Sequence, residues 1–162
     1  MPTLTDPSAA LKLFQADLLA GRLPLRLRGA IHSDLFFLFD EPNGRRRFIY
    51  LTVDNDVITG LAILANVDRI GGKPCFQLGV AVPLSHRGQG RAKKLVQAAL
   101  DELQHGCGNT HTYYVEAVVG IDNVPSQKVA GSCISSAPHR IKDAVSGVAA
   151  FNYVRKFEPK AF

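Results

Sequence analysis

A chain of 162 residues fits one domain built around one hydrophobic core. Apolar residues at 46% and charged residues at 20% exclude disorder for the chain as a whole, and the longest apolar runs, such as Leu35 to Phe39, are too short to span a bilayer. The formal charge of +5 suits an anionic ligand, but the densest basic piece, Arg45-Arg46-Arg47, follows Pro42-Asn43-Gly44 and lacks the interleaved aromatics of a nucleic-acid platform. That triplet is expected to be a solvated turn, so neither nucleic acid nor a membrane is an expected partner.

In chain order, Asp6-Pro7 reads as a helix cap followed by proline at the first helical position. Leu11, Phe14 and Leu18 then repeat at helical spacing, and Gly21 is the stop. Leu35 to Phe39 is aromatic-rich and bounded by Asp34 and Asp40, which predicts a strand. Arg47 to Val53 and Val57 to Asn66 read as a hairpin about Asp54-Asn55-Asp56. A second turn at Gly71-Gly72 leads to Cys75 to Val82, whose nearly continuous apolar character predicts burial on both faces. These three strands are expected to form an antiparallel meander.

Between Gln89 and His105, the residues Ala92, Leu95, Val96, Ala99, Leu100 and Leu103 lay one apolar face along a helix, ended by Gly106-Cys107-Gly108. His111 to Val119 is strand-like. A strand, a helix and a second strand form a crossover, so the two strands should be parallel neighbours. Asn123-Val124-Pro125-Ser126 opens another helix, expected to run to about Ser135. The tail from Pro138 to Phe157 reads as a hairpin turning at Ser146-Gly147. The fold class is therefore α/β (α+β): a mixed, mostly antiparallel sheet with a central parallel strand pair, flanked by helices, in a single domain over 1–162.

Cys75, Cys107 and Cys133 are odd in number and widely spaced, which argues against a disulfide framework and a zinc cage. They are expected to be reduced thiols, at least two of them packing residues. His32, His86, His105, His111 and His139 show no metal spacing, so no metal is expected. The first ten residues carry no Lys or Arg and no apolar core, so the expected location is cytoplasmic.

The chemistry-bearing stretch is Val80-Ala-Val-Pro-Leu-Ser-His-Arg-Gly-Gln-Gly-Arg-Ala92, which joins the last meander strand to the strong helix. A helix N-terminus offers unpaired N–H groups and the positive end of the dipole. Gly88 and Gly90 allow close backbone approach, and Arg87 and Arg91 add donors suited to phosphate. It is neither a dinucleotide fingerprint nor a P-loop. Local physics alone leaves two readings: an anion site, or a plain strand–turn–helix junction with a basic turn.

Arg87-Gly88-Gln89-Gly90-Arg91-Ala92 resembles the pattern Arg/Gln-x-x-Gly-x-Gly/Ala of the GNAT superfamily of N-acetyltransferases. Val82 stands five residues before the arginine, as in that family. A second block, Glu116-Ala117-Val118 followed by Asn123-x-x-Ser126, resembles the segment of the branch that acetylates protein α-amines and related amines. The resemblance covers roughly Arg47 to Tyr153. It implies that Val80 and Val82 offer backbone groups to a pantetheine arm, that Arg87, Gly88, Gln89, Gly90, Arg91 and Ala92 hold a pyrophosphate, and that Asn123 and Ser126 lie near the thioester. It also implies that the strands carrying Val82 and Glu116 splay to admit acetyl-CoA, the acyl donor.

The implied reaction is direct attack of a primary amine on acyl-CoA, with acetyl as the expected acyl group. The acceptor, a small molecule or a protein amine, stays open. Glu116 is the expected base, against the alternative of an outward strand carboxylate paired with a lysine. Many relatives carry a tyrosine seven residues after the asparagine; here that position is Ala130. Tyr153, Ser126, Cys133 or a water are the candidates for the acid, with Tyr153 first. The alternative function is a catalytically inactive acyl-CoA-binding module of the same fold. Family analogy alone suggests a homodimer.

Overall fold

The computed structural model describes residues 6–107, 110–144 and 146–159. Helix α1 covers Pro7–Leu19, and the Asp6 side chain caps it by accepting from the Ala9 N–H at 3.0 Å. Its Leu11, Phe14 and Leu18 pack on Ile49, Leu51, Leu61 and Ile63, on one face of the sheet. Gln15 ties the helix to the first hairpin: its Nε2 donates to the Asp56 carbonyl at 2.9 Å and its Oε1 accepts from the Ile58 N–H at 2.7 Å.

The strands are β1 (Leu27–Arg28), β2 (Phe36–Asp40), β3 (Arg47–Asp54), β4 (Val57–Ile70), β5 (Lys73–Ala81), β6 (Tyr113–Gly120), β7 (His139–Lys142) and β8 (Ala149–Phe157). They form one sheet in the order β1-β2-β3-β4-β5-β6-β8-β7. Every neighbouring pair is antiparallel except β5–β6, which is parallel. The parallel pair requires a crossover, and helix α2 (Arg91–Gly106) supplies it. Leu95, Val96, Ala99, Leu100 and Leu103 of α2 are buried against Tyr50, Ala62, Leu64, Phe76 and Leu78 of the sheet's second face. Each buried leucine, valine or phenylalanine side chain there contributes about 1.5–3 kcal/mol of burial. Helix α3 (Val124–Cys133) lies on that face as well, contributing Ala130 and Cys133 to the same core.

Several boundaries differ from the sequence expectations, for local reasons. The meander has more than three strands, because β2 pairs with β3 over its whole length and β1 adds a short edge. Strand β4 runs on to Ile70 because pairing with β5 continues through Val67 opposite Cys75 and, after a bulge, Ile70 opposite Lys73. Helix α2 starts at Arg91 and not Gln89, since Gly90 sits at a left-handed φ of 73°. Helix α3 stops at Cys133 rather than Ser135. Gly108, part of the expected helix stop, lies outside the described residues.

The basic triplet is only partly a solvated turn. Arg45 and Arg46 are exposed and paired with Asp68 and Glu41, whereas Arg47 opens β3 and grips Asp40 with two bonds, at 2.8 and 2.6 Å. Of the cysteines, Cys75 and Cys133 are buried, Cys107 is half-buried, and all three are free thiols. Among the described residues, no helix is long and apolar enough to cross a membrane.

Candidate functional site

Strands β5 and β6 are in register only over Cys75–Gln77 against Tyr114–Glu116. Beyond that rung they part. Strand β5 stays paired to β4 as far as Ala81, and β6 to β8 as far as Gly120. The edges that face each other across the gap, Leu78–Ala81 and Ala117–Gly120, therefore present backbone N–H and C=O groups that the parallel ladder does not use. They line a cleft of about 780 Å³, within the usual range for a small-molecule or cofactor site. Ser126, Val129 and Ala130 of α3 form another wall, and Asp6, Pro7 and Ser8 at the start of α1 reach its lip.

One end of the cleft is the turn from β5 to α2. After Val82 and Pro83, a short 3-10 turn (Leu84–His86) leads to Arg87, whose Nε donates to the Val82 carbonyl at 2.8 Å. This bond draws the arginine back under the turn and fixes its shape. Gly88 and Gly90 have φ of 75° and 73°, and a Cβ at either would meet nothing within 4 Å. Glycine is thus required by backbone conformation and not by crowding, and the turn faces open space. Gly90 is the N-cap of α2 and makes no side-chain cap bond; no acidic residue stands in the first turn. The first N–H groups of α2 and the positive end of its dipole therefore have neither a side-chain cap nor an acidic neighbour in the first turn, an arrangement able to receive an anion. Arg91 and Lys93 from α2 and Lys128 from α3 add positive charge around the cleft.

The structure brings Val80, Val82, Arg87, Gly88, Gly90, Arg91, Ala92, Asn123 and Ser126 together around this one cleft. Asn123 is at the same time the cap of α3: its Oδ1 accepts from the Ser126 N–H at 3.3 Å, which aims that helix terminus at the gap. Gln89 lies off the cleft walls and accepts from the Arg91 Nε at 3.0 Å.

The two candidate catalytic residues lie off the walls as well. Glu116 stands opposite Gln77 at the last paired rung, at the fork of the splay. It is 5% exposed. Burial pushes its carboxyl pKa up, and the Asn152 Nδ2, donating to Oε2 at 3.4 Å, opposes that rise. Its neighbour two residues on, Val118, lines the cleft on the same strand face.

Tyr153 is on the other face. It stands opposite Ala117, is buried in the core under α2 and α3, and its hydroxyl pKa is raised by that burial. Cys133 is buried too, with Sγ 3.9 Å from the Lys93 carbonyl and a thiol pKa raised by burial. Of the candidates for the acid, only Ser126 is on the cleft wall. Among the described residues, no group of three or more His, Cys, Asp or Glu is placed to hold a metal ion.

Sequence reasoning passed over Gln77 and Asn152. Both are single polar residues in apolar strands, and that mismatch with the pattern was their only signal. It also passed over Lys93 and Lys128, which look like ordinary surface lysines until α2 and α3 face each other.

The family model described as "Acetyltransferase (GNAT) family" matches residues 16–133. No match to the curated proteins was found. Among solved structures, the ribosomal-protein-S5-alanine acetyltransferase from Vibrio fischeri is similar at 15% identity and a TM-score of 0.51, over 68% of this chain and 61% of that one. A GNAT-family acetyltransferase from Streptococcus pneumoniae gives 12% and 0.53, over 68% and 66%. A ribosomal L7/L12 α-N-protein acetyltransferase in complex with coenzyme A gives 18% and 0.52, over 70% and 64%. At these identities the likeness is one of fold, and the chain spans less than two thirds of each of these relatives.

Proposed function

We infer, from the premise that this chain belongs to the acetyltransferase (GNAT) family, that it transfers an acyl group, acetyl in the first instance, from acyl-CoA to a primary amine. One observation carries the reading. The parallel pair opens beyond the rung joining Gln77 and Glu116, and the gap leads to an uncapped helix N-terminus behind a turn shaped by Gly88 and Gly90. A pantetheine arm needs amide partners along its length, and the parted strand edges supply them. A diphosphate needs convergent N–H donors, and the turn from Arg87 to Ala92 supplies those. Domain limits of 1–162 belong to the same reading.

In the proposed reaction the amine nitrogen forms a bond to the acetyl carbonyl carbon and the carbon–sulfur bond breaks. Coenzyme A leaves as thiolate and takes its proton from water. The amine proton passes, directly or through water, to Glu116, whose buried setting raises its pKa toward that of a useful base. The Val82 N–H is the proposed donor to the oxyanion. Tyr153 takes no part in proton transfer in this scheme, because it is buried in the core and is not on the cleft wall. The acceptor is left as a class: α-amine of a protein, lysine side chain, polyamine or other small amine.

Ala130 at the position where many relatives carry tyrosine, with no tyrosine on the cleft wall among the described residues, favours the second reading of an acyl-CoA-binding module without turnover. One assay separates the two. The protein is mixed with acetyl-CoA and a panel holding a peptide α-amine, a lysine peptide, a polyamine and an aminoglycoside, and free thiol is measured. Thiol release that depends on the amine is expected. Coenzyme A binding without release for any amine points to the module, and absence of binding overturns both.

A further inference from the structure

On the α1 side of the sheet, three strands place polar groups next to one another. Gln77 on β5 and Glu116 on β6 share the last paired rung, and Asn152 on β8 stands opposite Val118, one step along. Glu116 and Gln77 are buried. The Asn152 amide is divided: Nδ2 donates to Glu116 Oε2 at 3.4 Å, while Oδ1 is buried and has no hydrogen-bond partner among the described residues. A buried acceptor without a donor costs about 1–3 kcal/mol, so it is a feature to be explained. Val118, which shares this face with both residues and pairs with Asn152, lines the cleft, so Asn152 stands one residue behind the cleft wall, as Glu116 does.

We propose that Asn152 binds the acceptor amine: its Oδ1 takes one N–H of the incoming nitrogen while its Nδ2 holds Glu116 ready to take another. The inference rests on the acyl-transfer reading. A protonated amine carries at least two N–H donors and matches this pair, one for the carboxylate and one for the amide oxygen. A hydroxyl has a single donor and leaves one acceptor unpaired, so the pair selects nitrogen over oxygen nucleophiles.

The amide orientation follows from the charge on Glu116. An ionised carboxylate demands the NH₂ group, and that turns Oδ1 away from Glu116. Among the described residues, the other titratable groups near Glu116 on neighbouring strands are the Cys75 thiol on β5, Asp68 on β4, His139 on β7 opposite Asn152, and Lys156 on β8, which is already paired with Glu158. None of these replaces the Asn152 bond.

The test uses the full chain, acetyl-CoA and the most active amine of the panel. Asn152→Ala is expected to raise the amine KM tenfold or more, leave coenzyme A affinity by calorimetry within twofold, and move the acid limb of kcat/KM to higher pH, because a bond that lowers the Glu116 pKa is gone. Asn152→Asp is nearly isosteric and guards against a folding defect. It keeps an oxygen acceptor but sets a like charge beside Glu116, so the acid limb should move further up while the amine KM changes less than in the alanine variant.

If both variants keep the wild-type amine KM and acid limb while Glu116→Gln loses turnover, the Asn152 assignment is overturned and the acyl-transfer reading stands. If the wild-type chain acetylates no amine, both fall.

Discussion

Replacing Glu102 by glutamine tests how the loop before β2 is held. Glu102 lies on α2, is 6% exposed, and accepts three backbone N–H groups: Ala30 at 2.8 Å on Oε2, and Ile31 and His32 at 2.6 Å each on Oε1. The loop crowds the carboxylate so closely that a Cβ on Gly29 would lie 2.7 Å from Oε1. Glutamine preserves the shape. Its oxygen can keep two bonds, but without the charge that makes such bonds about twice as strong. Its amide then meets the third N–H donor to donor, leaving a buried group unsatisfied at about 1–3 kcal/mol. Loss of charge assistance at about 1 kcal/mol for each retained bond brings the expected total to about 3–5 kcal/mol. For a chain of this size that is a fall in Tm of roughly 6–20 °C. Urea unfolding followed by circular dichroism measures it. A loss below about 0.5 kcal/mol, with an unchanged urea slope, would refute the argument that this carboxylate anchors the loop.

Three further outcomes follow from the site. Arg87→Glu removes the bond to the Val82 carbonyl and reverses a charge beside the proposed diphosphate, so coenzyme A affinity should fall tenfold or more by calorimetry, and an unchanged value would remove the turn from the site. Glu116 is the base only as carboxylate, and burial raises its pKa above 4.5; activity should therefore rise with pH along a limb lying above 4.5, and Glu116→Gln should lower kcat/KM by about 10²–10⁴ and abolish that limb. Tyr153→Phe should leave kcat within twofold, since the residue is buried in the core and is not on the cleft wall; a large fall in kcat with a lost basic limb would restore it as the acid.

Local signals made most of the scaffold legible. The apolar stripe from Leu95 to Leu103 had one solution, a helix buried along that face. Asn55 and Asp56 turn a two-residue hairpin with positive φ at both positions, which is the conformation those residues tolerate. The β5–α2 turn was legible because a left-handed backbone beside a helix N-terminus demands glycine, and that demand is written as Gly88 and Gly90. Strand β1 was not legible: two exposed residues held by β2 leave no pattern.

Side-chain partners were legible only where both sides of a contact constrain residue type. Glu102 contacts backbone N–H groups some seventy residues away, and any sequence has those. The terminal strand shows how sharp the limit is. Tyr153 was the expected catalytic candidate there, but side chains alternate along a strand. The residue on the Glu116 face is its neighbour, Asn152, and the aromatic ring belongs to the core.

A crystal structure of the chain with coenzyme A tests the central claim most directly. The diphosphate oxygens should lie about 2.7–3.2 Å from backbone N–H groups between Arg87 and Ala92, with the pantetheine arm between Leu78–Ala81 and Ala117–Gly120. A complex in which the nucleotide binds elsewhere and the parted strands close on each other would contradict it.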